Sequence, residues 1–79
     1  MKELTKLRKN IDKIDLKLVK TLSKREKITN KIKEIKNQNK IKTKDKAREK
    51  AIIKRLKTLK LIKNKLLEDV YNVIFKQIK

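Results

Sequence analysis

The apolar residues in the first half of the chain recur at intervals of three and four. Leu4, Leu7, Ile11, Ile14, Leu18, Ile28, Ile32 and Ile35 therefore fall along one side of a helix. This spacing predicts an amphipathic α-helix from about residue 3 to about residue 38, the strongest periodic signal in the sequence. The stretch "NQNKIKTK" breaks the period and reads as a loop. Asp45 then suits the N-cap of a second helix, with Glu49 near its first turn. Ile52, Leu56, Leu59 and Ile62 continue an apolar stripe on that helix, and "KNK" at 63–65 marks a weak second break. Leu67, Val70, Tyr71, Ile74 and Ile78 predict a short third helix running to the terminus. The expected fold is all-α: one domain over residues 1–79, built from three helices with a very long first one.

The length of the first helix sets a packing problem. At about 1.5 Å per residue it spans ~53 Å, whereas a compact chain of 79 residues has a radius of gyration of only ~12 Å. Two short helices cannot cover that stripe. The expected solution is a second copy of the chain, in an intertwined helical homodimer.

Composition narrows the chemistry. There is no Cys and no His, so no disulfide framework and no thiolate metal site is available, and the usual general base is missing. No metal and no cofactor is expected. No stretch of 18 apolar residues exists to span a membrane, and the charged N-terminus lacks the apolar core of a secretory signal, so the expected location is the cytoplasm. The net charge is +18, from 27 basic and 9 acidic residues. Such a balance suits a polyanion partner, but a composition rich in Lys, Ile, Leu and Asn and devoid of Gly and Pro also follows from biased codon usage. On that ground nucleic acid is not the expected partner.

Against 23 lysines there are four arginines, Arg8, Arg25, Arg48 and Arg55, and their positions are informative. The seven-residue pattern 4, 7, 11, 14, 18, 21, 25, 28, 32, 35 places Thr21 and Arg25 on the apolar seam. An arginine there is costly unless an anion meets it. That anion is either an internal Asp or Glu or a ligand carboxylate or phosphate. Arg binds a carboxylate through two parallel hydrogen bonds that Lys cannot reproduce. Lys36 returns to within about 20° of the Arg25 face, ~16 Å along the axis, so the two long side chains can converge on one small anion. Arg8 lies ~25 Å before Arg25 and about 100° around the helix, beyond reach of the same ligand within one chain. In an antiparallel dimer the partner's Arg8 could reach it. On the second helix Arg48 and Ile52 are one turn apart, and Glu49 is aligned with Ile53.

These positions resemble the all-helical chorismate mutase family. The matching segments are "LRKNIDKIDLKLVKTLSKREKITNKIKEIK" and, after the loop, "DKAREKAIIKRL". The family shows "LR..ID.ID..L..LL..R", a Lys eleven residues past that Arg, then "D..RE" opening the second helix and "RL" after it. Here these fall on Arg8, Asp12, Asp15, Arg25, Lys36, Asp45, Arg48, Glu49 and Arg55-Leu56. The similarity runs from residue 4 to about residue 59 and more weakly through "LLEDVYNVIFKQI", whose Phe75 suits the family's apolar third helix.

The resemblance implies chorismate, a small dicarboxylate, as substrate, and its pericyclic rearrangement to prephenate in aromatic amino acid biosynthesis as the reaction. That reaction requires no nucleophile, metal or proton shuttle, in keeping with a chain lacking His and Cys. It further implies that Arg25 and the partner's Arg8 clamp carboxylates, and that Lys36 is aimed at the ether oxygen. Glu49, with the backbone at Asp45, would bind the ring hydroxyl; Arg48 would help to set the anionic pocket; Ile32 and Ile52 would be apolar walls. The family's third helix usually adds a Ser for a carboxylate and a Gln or Glu for the ether oxygen. Aligned on Phe75, both fall roughly one to two turns beyond Lys79, and Gln77 is about nine residues early and on the opposite face. Loss of such a donor lowers rates by about 10²–10³, so three expectations stay open: a shortened piece of a longer chain, a weak enzyme, or a non-catalytic relative. Two other readings remain open on sequence: a basic helical nucleic-acid-binding module, and an isochorismate-pyruvate lyase on the same fold.

Overall fold

The computed structural model describes residues 1–42 and 44–77. Three helices follow in order: α1 (Lys2–Gln38), α2 (Lys46–Lys57) and α3 (Asn64–Lys76). No strand occurs among the described residues. The all-α expectation and the long first helix both hold. Thr43 in the first loop, and Ile78 and Lys79 at the end of the third predicted helix, lie outside the described residues. The chain divides into two compact units, Met1–Glu34 and Ile35–Lys79.

The first unit consists of α1 residues and the methionine before them. It persists as helix because nothing in it breaks one: Gly and Pro are absent, and Leu, Lys and Glu all have high helix propensity. Glu3 in the first turn opposes the partial positive charge of the helix N-terminus. Thr21 and Thr29 are accommodated by turning their hydroxyls onto the carbonyls of Lys17 (2.8 Å) and Arg25 (2.9 Å). No residue of α1 is buried. Its apolar stripe stands open, with Ile14 63%, Leu18 55% and Ile28 60% exposed.

The second unit begins with the end of α1. Here the Ile41 N–H donates to the Lys36 carbonyl (2.8 Å) and the Lys40 N–H to that of Asn37 (3.2 Å), while Lys40 takes φ 55°. This is a Schellman closure with a left-handed residue just past the helix. Glycine usually fills that position; without one, the chain places a lysine there, at about 1–2 kcal/mol.

The end of α2 departs from the predicted pattern. The stripe from Ile52 was expected to continue through Leu59 to Ile62, with a break at 63–65. The helix instead stops at Lys57, and Leu59, Leu61 and Ile62 lie exposed in the connection to α3. Lys60 adopts φ 52°, its N–H bonded to the Lys57 carbonyl (3.2 Å), and the Thr58 hydroxyl takes the Arg55 carbonyl (2.6 Å). Those bonds satisfy the last carbonyls of α2 and turn the chain away. The following "KNK" is not a break: Lys63 is the N-cap of α3, and Asn64 and Lys65 are its first residues.

α2 and α3 pack against each other. Ile52, Ile53 and Leu56 on α2 are half-buried. Leu67 and Phe75 on α3 are the buried apolar residues among those described. Tyr71 and Phe75 meet as a tilted pair with ring centroids 5.6 Å apart, an arrangement favoured by their quadrupoles. Lys57 forms an ion pair with Glu68 that ties α2 to α3, and both side chains are exposed enough to solvent that it adds little beyond orientation.

Candidate functional site

The sequence-predicted residues divide between α1 and the first turn of α2. On α1, Arg8 and Ile32 are exposed, whereas Arg25 and Lys36 are half-buried. Two residues not anticipated from the sequence, Thr29 and Lys33, are half-buried as well. Arg25, Thr29, Lys33 and Lys36 are spaced by four, four and three residues, so they share one side of the helix. The positions of α1 most withdrawn from solvent are therefore polar and mostly cationic. The neighbouring apolar stripe is more open, Ile32 at 47% and Ile35 at 57%. Projecting the four positions on a helix would have exposed Thr29 and Lys33 as members of this strip. Arg8 and Arg25 remain ~25 Å apart along the axis, so a single chain does not bring them together.

On α2 the local geometry is tighter. Asp45 has an extended backbone (φ −125°, ψ 95°), and its carboxylate accepts the Arg48 N–H at 3.0 Å. Its carbonyl accepts the Glu49 N–H at 3.1 Å. The expected N-cap is therefore present, and it holds Asp45, Arg48 and Glu49 within one turn. Asp45 and Arg48 are exposed, while Glu49 is half-buried in line with Ile52, Ile53 and Leu56. The acidic group on the inner side of α2 is thus Glu49, with Arg48 at its edge. Asp45 and Glu49 both lie at the helix N-terminus, whose partial positive charge favours carboxylates.

α1 carries forked and single-point cations, and the first turn of α2 carries one half-buried carboxylate with an apolar flank. A shallow surface depression at the start of α1, lined by Met1, Lys2, Thr5, Lys6 and Lys9, contains none of these residues and has no bearing on them. No cluster of three or more metal-ligating side chains occurs among the described residues, and no helix there is long and apolar enough to cross a membrane.

A family model for chorismate mutase type II matches residues 7–79. The chain belongs to the chorismate mutase type II family. The match covers every predicted site residue, from Arg8 to Ile52, as well as α3. No curated protein and no solved structure matches the chain. Family membership supports chorismate mutase activity in general.

Proposed function

We propose that the protein converts chorismate to prephenate in sites shared between two copies of the chain. The observation that carries this reading is the family match across Arg8, Arg25, Lys36, Arg48 and Glu49. The half-buried cationic strip on α1 supports it, because that is where a dianion would be held.

The seam itself supports the dimer. Its spacings run 3-4-3-4-3-4-3-4-3 from Leu4 to Ile35 and read the same in both directions. An antiparallel copy in register therefore sets every seam position against another. Leu4 meets the partner's Ile35, Leu7 the partner's Ile32, Ile11 the partner's Ile28, Ile14 the partner's Arg25 and Leu18 the partner's Thr21. The twofold axis then passes between Val19 and Lys20. In this register the partner's Arg8 lies level with Lys31, about 9 Å beyond Arg25 and about 7.5 Å short of Lys36 along the axis. Two arginines and one lysine converge only in the pair of chains.

The mechanism follows from the reaction. A pericyclic shift breaks the ether C–O bond and forms a C–C bond in one concerted step, so no group of the protein need accept a proton or form a bond. Arg25 and the partner's Arg8 hold the two carboxylates through forked hydrogen bonds, fixing the side chain over the ring. The Lys36 ammonium faces the ether oxygen, where negative charge grows, and stabilises the transition state more than the ground state. The Glu49 carboxylate, positioned by the Asp45 cap, accepts the hydrogen of the ring hydroxyl, and the backbone at Asp45 helps to bind that hydroxyl. Arg48 biases the pocket toward anions, and Ile32 and Ile52 enclose the ring.

The test is to follow the loss of chorismate absorbance with purified protein and identify the product. Prephenate supports the reading. No turnover of chorismate, or release of pyruvate and salicylate from isochorismate alone, would overturn it.

A further inference from the structure

Projection of α1 as a helix reveals an order among its lysines that composition does not require. Lys2, Lys6, Lys9, Lys13, Lys17, Lys20, Lys24, Lys27 and Lys31 fall within one sector of about 80°. Between residues 2 and 31, every position in that sector is a lysine. All nine are exposed. They form a straight ridge parallel to the axis, ~44 Å long, with about one ammonium per 5.4 Å turn.

Biased composition explains why lysine is frequent but not why the acids avoid this side. α1 carries 13 basic and 5 acidic residues, a net of 13 − 5 = +8. The five acids, Glu3, Asp12, Asp15, Glu26 and Glu34, all lie outside the sector. An ordinary solvated helix face alternates signs, because Glu and Lys one turn apart attract. Here neighbours one turn apart on the ridge repel, Lys2 and Lys6, Lys9 and Lys13, Lys20 and Lys24, Lys27 and Lys31 among them. The ridge shares no position with the apolar seam, so covering the seam leaves it open.

We propose that this ridge binds the phosphate backbone of a nucleic-acid duplex, without reading its sequence. A rigid face of closely spaced ammonium groups neutralises phosphates where it crosses the duplex backbones and gains from counterion release. Arg8 and Arg25, whose forks would suit base edges, lie off the ridge. α1 has no aromatic side chain on which the bases of a single strand could stack. The contact is therefore with the backbone of a duplex, and it is separate from the proposed catalytic residues.

The experiment is fluorescence anisotropy of a labelled 24-base-pair DNA duplex titrated with the full chain at several salt concentrations. Two variants of equal charge, +18 − 4 = +14, isolate placement from amount. One carries Lys6→Gln, Lys13→Gln, Lys20→Gln and Lys27→Gln on the ridge. The other carries Lys42→Gln, Lys46→Gln, Lys50→Gln and Lys54→Gln away from it. The native chain should bind duplexes of different sequence alike. The ridge variant should lose about tenfold or more in affinity, and its log–log salt slope should shrink by about 3–4. It should keep its helical circular dichroism and its chorismate turnover, and the second variant should bind nearly as the native chain does. Equal losses in both variants would overturn the proposal. So would no duplex binding at low salt, or tighter binding to single-stranded DNA or to anionic lipid vesicles than to the duplex.

Discussion

The carboxylate of Asp45 accepts the backbone N–H of Arg48 at 3.0 Å, so one residue both starts α2 and fixes where Arg48 and Glu49 leave it. A local capping bond thereby becomes part of the proposed hydroxyl-binding corner. Asp45→Ala should destabilise the protein by about 1 kcal/mol. It should also lower kcat/KM, because Glu49 then sits on a frayed turn. Asp45→Asn keeps a capping oxygen and should restore most of both. Thermal melts and steady-state kinetics on the two variants check this; a catalytic loss that Asp45→Asn does not repair would show that the carboxylate acts directly on substrate.

Arg25→Lys keeps the charge and removes the fork. We expect turnover efficiency to fall by about 30- to 1000-fold, equivalent to about 2–4 kcal/mol, with little change in melting temperature. In the antiparallel register the partner's Asp15 lies level with Lys24, next to Arg25. If Arg25 merely pairs with that carboxylate, Asp15→Asn and Arg25→Lys would both lower stability and leave KM alone. Melting curves and KM for the pair of variants separate the two outcomes.

Lys60 at φ 52° occupies a conformation that favours glycine. Lys60→Gly should raise stability by about 1 kcal/mol, whereas Lys60→Ala should not. Denaturant unfolding of the two variants measures the difference. Equal behaviour would mean that Lys60 is not left-handed in solution, and that α2 runs on as the apolar stripe first predicts.

Much of the fold was legible because it rests on local patterns. The 3–4 spacing of α1 and the Asp45 cap are written in neighbouring residues, and both are present. The end of α2 was not legible. Its determinant is a left-handed lysine, and lysine gives no signal for that conformation where glycine would. Leu59 and Ile62 kept the helical period beyond the point where the helix ended. The candidate site residues Arg25, Lys36, Arg48 and Glu49 stand out by residue type and spacing, and Arg25, Lys36 and Glu49 are half-buried. Thr29 and Lys33 were missed because neither is unusual for a solvated helix face. Arg8 lies ~25 Å from Arg25 along α1, so one chain does not bring the two together, and its role across a twofold axis stays a proposal.

Each α1 carries a net 13 − 5 = +8, so in the proposed dimer the two α1 helices repel along their length. Salt at about 0.1–0.15 M shortens the screening length to about 8–10 Å and should relieve this. The melting temperature should therefore rise with sodium chloride, while KM for the dianionic substrate rises too as its attraction is screened. A melting temperature that falls with salt would point to attractive ion pairs as the dominant surface term.

The proposed shared site is tested most directly by mixing. Arg8→Ala and Arg25→Ala proteins should each be nearly inactive alone. After subunit exchange, equal mixing should recover about a quarter of native activity, because half of the dimers are mixed and each of those holds one intact site. A mixture shown by mass spectrometry to contain heterodimers, yet still inactive, would contradict the shared site and place Arg8 elsewhere.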